Sequence, residues 1–256
     1  MSAVFAIARR ETAAYFASPI GWIVLLVFQL MTGWMFLSGL IWYADASAQM
    51  MMNPYGGDSM DANSMVLQPL FGNMAVIVLL FSPAVTMRLL AEDTRMKSFE
   101  LLLTSPISSF QIALGKLLGA LGFGVALVLS TAHFVLILRW LGDIDTGILM
   151  TNYLNFSLML GMLFAIGLFC SALTENQVVA LALAFSANLL LFIFGWAAAG
   201  MEAGTAKEVI EYISMVSHVE QMGKGLIHIK DLAYYLTFIG FALFATTQRV
   251  EAMRWR

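Results

Sequence analysis

The sequence predicts an all-α polytopic membrane protein with six transmembrane helices, and three observations support this fold class. Hydrophobic residues make up 61% of the 256 residues and charged residues only 11%, against roughly 45–50% and 25% in ordinary soluble domains. The mean hydropathy is +0.84. The few charges are clustered, so that long charge-free intervals separate them. A soluble domain of this length could not bury so much apolar surface, and we therefore expect lipid to be its solvent.

The charge-free intervals predict the six spans in order. A helix that crosses a bilayer needs about 20 apolar residues, within a range of about 17–25, and the last interval is at the short end of this range. The first run is too long for the apolar segment of a cleavable signal peptide, so we expect it to be retained. We expect one transmembrane domain over residues 1–256, with spans near 20–43, 68–90, 112–138, 152–173, 177–199 and 231–248.

The basic residues predict the orientation. With six spans, both termini lie on the same side of the membrane, and the basic residues are concentrated on that side. Because basic residues favour the cytoplasmic side, we expect both termini in the cytoplasm. The terminal side has Arg9, Arg10, Arg88, Arg95, Lys97, Lys116, Arg249, Arg254 and Arg256, and the other side has Arg139, Lys207, Lys224 and Lys230.

The segment before the first span predicts a weakly amphipathic entry helix over residues 1–18. Val4, Ile7, Ala8 and Tyr15 share one face of this helix, but Glu11 falls within the same face. A carboxylate in an apolar stripe favours an ion pair with an arginine of the next cytoplasmic segment, or a contact with a partner protein, over burial in lipid.

That next segment, the elbow (residues 91–110), is crowded with charge. Apolar residues recur there at helical spacing and predict a short amphipathic helix, which we expect to break at 104–106. Ser108 or Ser109 is expected to cap the third span. Two interpretations stay open: an interfacial loop that anchors the span ends, or a docking surface for a cytoplasmic partner. The polar residues of this pattern are Asp93, Thr94, Arg95, Lys97 and Ser98, and the apolar ones, which begin just before the elbow, are Leu89, Leu90, Met96, Phe99, Leu102 and Leu103.

Two segments are predicted on the outer side, residues 44–66 and 200–230. In the second, Val209, Ile213 and Val216 form an apolar stripe, and Gly223 and Gly225 form a turn around Lys224. This stripe indicates either an interfacial helix or an outer gate that enters the membrane. The first segment contains methionines that provide a soft contact surface or, alternatively, thioether ligands for Cu(I). These methionines are Met50, Met51, Met52, Met60 and Met65.

No catalytic, cofactor-binding or metal-ligating residue is predicted. The Gly115-Lys116 pair lacks the second glycine and the Ser or Thr of a phosphate-binding loop. Cys170 is the only cysteine, and the histidines have no ligand spacing. Within the charge-free intervals that define the spans, His133 is the only histidine and Asp, Glu, Lys and Arg are absent, which disfavours an ion-coupled carrier. The energy for any transport is therefore expected to enter from outside the bilayer.

The stretch MRLLAEDTRMKSFELLLTSPISSFQIALGK (residues 87–116) resembles the cytoplasmic elbow of type-2 ABC exporter permeases. The similarity is to the branch that includes the gliding-motility and nitrous-oxide-reductase-maturation permeases. The entry segment ARRETAAYFASPIGW and the segment EYISMVSHVEQMGKGLIHIKDLAYYLTF also resemble this branch. This chain has Lys97-Ser98 at the two positions where that branch usually has Gly-Thr. The matching elbow positions are Met87, Arg88, Glu92, Glu100, Leu102, Leu103, Thr104, Pro106, Ile112, Gly115 and Lys116.

The resemblance implies a permease subunit of the bacterial inner (plasma) membrane. It implies two copies of a cytoplasmic ABC ATPase subunit, which bind ATP and Mg²⁺, and a second permease chain, identical or different. It also leaves room for an accessory protein outside the membrane, and no nucleic-acid partner is expected. The elbow would act as a coupling helix. The expected contacts with the ATPase are Glu92, Arg95, Lys97, Phe99 and Glu100, followed by Arg10 and Glu11.

Two alternatives to an ATP-driven exporter stay open. The first is a membrane scaffold of a surface or maturation complex, which couples to ATP but moves no solute. The second is the ion-coupled carrier, which the lack of charge in the spans disfavours.

Overall fold

A computed structural model shows a bundle of long helices and describes residues 3–52, 63–96, 107–141 and 144–254. Within these ranges the chain is helical and contains no strand. The helices are α1 (Ala3–Ala17), α2 (Pro19–Met52), α3 (Gln68–Thr86, preceded by a π-helical turn at Asn63–Leu67), α4 (Ala91–Arg95), α5 (Ser109–Ser130), α6 (Ala132–Leu141), α7 (Thr146–Ala172), α8 (Gln177–Ala199), α9 (Thr205–Ile213), α10 (Met215–Gly223) and α11 (Ile229–Arg254).

Six helical stretches are long and apolar enough to cross a membrane, which confirms the predicted fold class and the number of spans. The second stretch combines α3 with α4, and the third combines α5 with α6. The six stretches are Pro19–Gln49, Asn63–Arg95, Ser109–Leu141, Thr146–Ala172, Gln177–Ala199 and Ile229–Arg254.

Two of the spans form the centre of the bundle. In the second span and in α7, 67% and 72% of the most apolar stretch is buried, whereas the corresponding fraction in α2, α8 and α11 is below one third. The exposed sides of those three helices carry large apolar residues such as Leu30, Trp34 and Phe241. Apolar side chains facing outward in this number are expected where the surroundings are lipid.

Two element boundaries differ from the sequence prediction. The outer segment was expected to begin at residue 44, but α2 continues to Met52, because residues 44–52 are rich in Ala and other good helix formers. The first charged residue after an apolar run therefore marks the predicted membrane boundary, although the helix itself continues beyond it. The second span was expected to be helical to residue 90, but α3 ends at Thr86 and a turn covers 87–90 before α4.

The bundle has two distinct ends. At one end, the terminal end, Lys116 at the start of α5 is paired with Glu11 of α1 and Asp93 of α4. Ser109 donates a hydrogen bond to Glu251, which places the end of α11 there as well. At the opposite end, the distal end, the backbone N–H of Asp145 donates to Asn63, and α10 packs beside the start of α7. The assignment of the terminal end to the cytoplasm stays a prediction.

Candidate functional site: a terminal ion cluster and a distal latch

Four charged side chains meet at the terminal end, and we call them the terminal cluster: Arg10, Glu11, Asp93 and Lys116. The Lys116 side chain is only 1% exposed, and its Nζ lies 2.6 Å from Asp93 Oδ2 and 3.0 Å from Glu11 Oε1. Arg10 lies 2.8 Å from Glu11 and 3.6 Å from Asp93. Two cations and two anions thus connect three helices, and one buried ammonium group contacts both carboxylates.

Glycines allow α1 to approach α5 closely enough for this cluster to form. A Cβ at Gly115 would lie 2.9 Å from Ile7 Cβ, and one at Gly119 would lie 2.4 Å from Glu11 Cβ. Four residues separate the two contacts on each helix, which shows that α1 and the beginning of α5 run in nearly the same direction. Any side chain at Gly119 would force the two helices apart.

Tyr15 secures the other end of α1. Its hydroxyl donates a 2.7 Å hydrogen bond to the carbonyl of Val85 in α3, and its ring stacks on Phe123 at a centroid distance of 5.0 Å. The Arg88 guanidinium lies 4.1 Å from the centre of the Tyr15 ring. Burial raises the pKa of the Tyr15 phenol above its ordinary range, against an opposing effect of Arg88. The hydroxyl therefore stays protonated and remains a donor.

Ser171 of α7 holds the turn between α3 and α4. Its Oγ accepts hydrogen bonds from the backbone N–H groups of Leu90 and Ala91, each at 3.0 Å, and donates one to the carbonyl of Met87 at 2.8 Å. Backbone groups that the turn would leave without partners are thereby satisfied in a buried position. α4 is consequently fixed to α7 as well as to α1 and α5.

The remaining side of α4 faces outward. Glu92 and Arg95 are exposed, and Met96 is 71% exposed, whereas Ala91 is fully buried. Glu92 and Arg95 are two of the residues predicted to contact an ATPase. Three others, Lys97, Phe99 and Glu100, lie outside the described residues, as do Ser98 and the expected break at 104–106.

Two further sequence expectations concern the helices beside α4: the cap of α5 and the ionic partner of Glu11 on α1. Ser108 caps α5 as predicted, because its side chain accepts from Gln111 N–H while the Gln111 side chain accepts from Ser108 N–H. Glu11 does form an ion pair, but its partners are Lys116 and Arg10 rather than an elbow arginine. The Glu11 side chain is 14% exposed and that of Arg10 is 55% exposed, so of these two secondary contact candidates Arg10 is the more accessible.

A second polar cluster, which we call the distal latch, lies at the opposite end and consists of Tyr212, His218, Asp231 and Tyr234. His218 Nδ1 is 2.6 Å from Oδ1 of the fully buried Asp231, and Nε2–H donates to the Tyr212 carbonyl at 2.9 Å. Because that carbonyl can only accept, the contact with Asp231 must hold one further proton, on the ring or on the carboxyl group. The Tyr234 ring stacks on His218 at 4.0 Å.

Hydrogen bonds from two asparagines of α7 anchor α10 within the bundle. Asn152 donates to the Gly223 carbonyl at 3.1 Å, and Asn155 donates to the Val219 carbonyl at 3.0 Å. Asn155 in turn accepts from the Tyr235 hydroxyl at 2.8 Å. Asn155 lies nine residues after Thr146, the first residue of α7, or roughly 14 Å along that helix. α10 therefore extends from the distal end of α7 well into the bundle. A cavity of about 60 Å³ lies beside these asparagines, between α3, α7 and α10.

The predicted gate residues are divided between two helices. The chain turns at Ser214, whose side chain caps α10 by accepting from Val216 N–H, so Val209 and Ile213 on α9 do not continue into Val216 on one helical stripe. The expectation of a single stripe was therefore wrong, because a capping serine interrupts the helix. The turn predicted around Lys224 is confirmed: α10 ends at Gly223, and Gly225 has a φ of +87°.

The sequence of nearly the whole chain matches one known protein family. The model of the family described as "ABC-2 family transporter protein" matches residues 5–248, nearly the whole chain. The chain belongs to the ABC-2 transporter family. No curated protein sequence gives a significant match.

Membership of the ABC-2 family makes the chain a membrane component of an ABC transporter. The ATPase of such a transporter is a separate partner, and the six apolar helices identify this chain as the multi-pass membrane part. Sequence reasoning did not find Ser171, the pairing of Asp231 with His218 or the role of Lys116. Each acts through a contact distant in sequence, for which a single sequence contains no local signal.

Proposed function

We propose that this ABC-2 chain is the permease subunit of an ATP-driven exporter in a bacterial inner membrane, with both termini in the cytoplasm. Two such permease chains would bind two copies of an ATPase subunit, and ATP-driven movement of the ATPases would be transmitted through the elbow to the spans. The observation that carries this proposal is the arrangement of α4. Its inner side is bound to three helices, and its outer side presents the exposed side chains of Glu92 and Arg95.

The contacts of α4 suggest how a movement would be transmitted. Asp93 connects α4 to α5 through Lys116 at 2.6 Å, and Ser171 connects the preceding turn to α7. A force on Glu92 or Arg95 would therefore act on two spans together instead of bending a free loop. Packed helices that are connected in this way move as rigid bodies.

Inversion of the outer charges tests this proposal. The double variant Glu92→Lys/Arg95→Glu keeps the net charge but places like charges against a complementary partner surface, so binding of the ATPase should weaken about tenfold or more. The measurement is the amount of a nucleotide-binding ATPase subunit that copurifies with the tagged chain in mild detergent, together with ATP-driven turnover in vesicles.

The matched control is Lys207→Glu/Glu208→Lys, which inverts neighbouring charges on α9 at the distal end and should leave ATPase binding unchanged. Equal copurification and equal turnover in both double variants would overturn the assignment of α4 as the coupling surface. ATPase binding with turnover that no exported substrate stimulates would instead indicate the scaffold. Transport that continues without ATP but responds to an ion gradient would indicate the carrier.

A further inference from the structure

A groove between α1 and α5 has no role in the terminal cluster or in the proposed coupling. Its volume is about 560 Å³, within the range of roughly 300–1,000 Å³ that is typical of small-molecule sites. Phe5, Arg9, Ala13 and Phe16 line it from α1, and Leu118 lines it from α5. These α1 residues recur at intervals of three or four, so they form one face of that helix.

The groove crosses the boundary between headgroups and hydrocarbon. The third span runs from Ser109 to Leu141, about 50 Å at 1.5 Å per residue, which exceeds a hydrocarbon core of about 30 Å. Arg139 is the charged residue at the distal end of this span, and a helix of about 20 residues crosses the hydrocarbon core, so the inner boundary is expected near Gly119. Phe16 packs against Phe123, with ring centroids 5.9 Å apart, so this end of the groove lies on the hydrocarbon side of Gly119.

Arg9 lies at the other end of the groove, on the headgroup side. It precedes Arg10 and Glu11, which pair at the level of Lys116. Arg9 is exposed, and it forms none of the ion pairs found among the described residues. The groove thus combines a free guanidinium group at headgroup level with aromatic and aliphatic side chains deeper in the membrane.

We propose that this groove binds an anionic phospholipid, with its phosphate on Arg9 and one acyl chain between Phe16 and Leu118. A guanidinium group binds phosphate through two parallel hydrogen bonds, and anionic lipids are concentrated in the cytoplasmic leaflet, where the terminal end is predicted to lie. A protein partner fits the groove less well, because the apolar end lies below the headgroups. This site does not depend on ATPase coupling, since it requires only the membrane and the contact of α1 with α5.

Trp22 provides a reporter for this site. Its indole N–H donates to the carbonyl of Phe16 at 2.9 Å, and its ring contacts the Phe16 ring at 5.8 Å. In a chain with every other tryptophan replaced by phenylalanine, a lipid in the groove that carries bromine on its acyl chains would quench Trp22. The measurement compares brominated phosphatidylglycerol with brominated phosphatidylcholine in otherwise unbrominated phosphatidylcholine bilayers.

We expect brominated phosphatidylglycerol to give half-maximal quenching of Trp22 at a mole fraction about fivefold lower than brominated phosphatidylcholine does. This is the preference that one arginine near an anionic surface provides. Arg9→Gln should abolish this preference, while Arg9→Lys should retain part of it. Arg139→Gln, which removes an exposed arginine at the distal end, should keep the preference intact. Ala13→Leu, which fills the groove, should reduce quenching by both lipids.

Equal quenching by the two lipids in the parent chain would overturn the proposal, as would a preference that survives Arg9→Gln. Absence of quenching by either lipid would also overturn it, because a protein segment would then cover the groove. If the tryptophan replacements prevent folding, native mass spectrometry of the otherwise unmodified chain provides the same comparison. The number of retained phosphatidylglycerol molecules should fall by one in Arg9→Gln and stay unchanged in Arg139→Gln.

Discussion

The terminal cluster and the distal latch both place ionisable groups between helices, but water reaches them to different extents. In the terminal cluster, Lys116 is buried while Arg10 is more than half exposed and the two carboxylates are 14% and 19% exposed. In the distal latch, the side chains of His218 and Asp231 are 4% and 0% exposed. Solvent can therefore replace part of a lost contact at the terminal end but almost none at the distal end.

The two sites also differ in what they hold together. The terminal cluster connects α1 and α4 to the start of the third span, α5. The distal latch closes a single segment onto itself, because His218 of α10, Tyr212 of α9 and Asp231 of α11 follow one another in the chain. A cluster that is open and shared among helices suits a surface that transmits movement, whereas a dry latch suits an element that keeps one position.

The largest expected effect comes from breaking the distal latch. Asp231→Leu leaves Nδ1 of the buried His218 without a hydrogen-bond partner and should lower the free energy of unfolding by about 3–5 kcal/mol. Asp231→Asn, whose amide N–H can donate to Nδ1 of a neutral ring, should lose much less. Thermal unfolding of the chain in detergent measures both variants. Addition of His218→Phe, which keeps the stacking on Tyr234, should recover stability in the Asp231→Leu background, and a strictly additive loss would contradict the latch.

A smaller effect is expected when the buried cation of the terminal cluster is removed. Lys116→Met keeps the length and apolar stem but leaves Glu11 and Asp93 with Arg10 as their cation, so we expect a loss of about 1.5–3 kcal/mol, the range for hydrogen bonds to charged groups. The readouts are unfolding in detergent and the rate of proteolysis within α1. Lys224→Met, at an exposed position of the distal end, is the control and should be neutral in both. A Lys116→Met variant as stable as this control would show that the cluster does not hold α1.

The smallest effect is expected at the exposed edge of the terminal cluster. Arg10→Gln removes an arginine that water screens, and the change in unfolding free energy should stay within about 1 kcal/mol. Any difference from the parent chain should shrink as salt rises from low to physiological concentration. A large loss that does not depend on salt would mean that Arg10 is as important as Lys116, and the contrast between the open and the dry cluster would fail.

The spans and the local caps could be predicted because their causes are local. Hydropathy over about 20 residues decides where a helix can cross lipid, and Ser108 and Gln111 are three residues apart, within reach of each other in any helix start. The same local signals misplaced the end of α2, because helix propensity continued where apolar character stopped. They also misplaced the outer stripe, because Ser214 was not recognised as a cap.

The candidate site could be predicted only in part. Glu92 and Arg95 do lie on the outward side of α4, although whether they bind an ATPase stays a prediction, and Lys97, Phe99 and Glu100 fall outside the described residues. For Glu11 the sequence left open an ion pair with an elbow arginine or a contact with a partner protein, and the structure shows an ion pair with other residues. Its main partner, Lys116, is 105 residues away in the chain, and no periodicity of one sequence indicates which of several lysines and arginines will reach it.

By itself, then, the sequence determined the solvent of this protein, its six spans and the concentration of basic residues at one end. These properties are sums over neighbouring residues, so composition and spacing are sufficient to define them. Only the tertiary structure decided that Lys116 is buried between two carboxylates, that Ser171 holds the turn before α4 and that His218 closes on Asp231. Each of these contacts depends on how helices pack, because burial makes a polar group depend on the one partner that packing brings within hydrogen-bond distance.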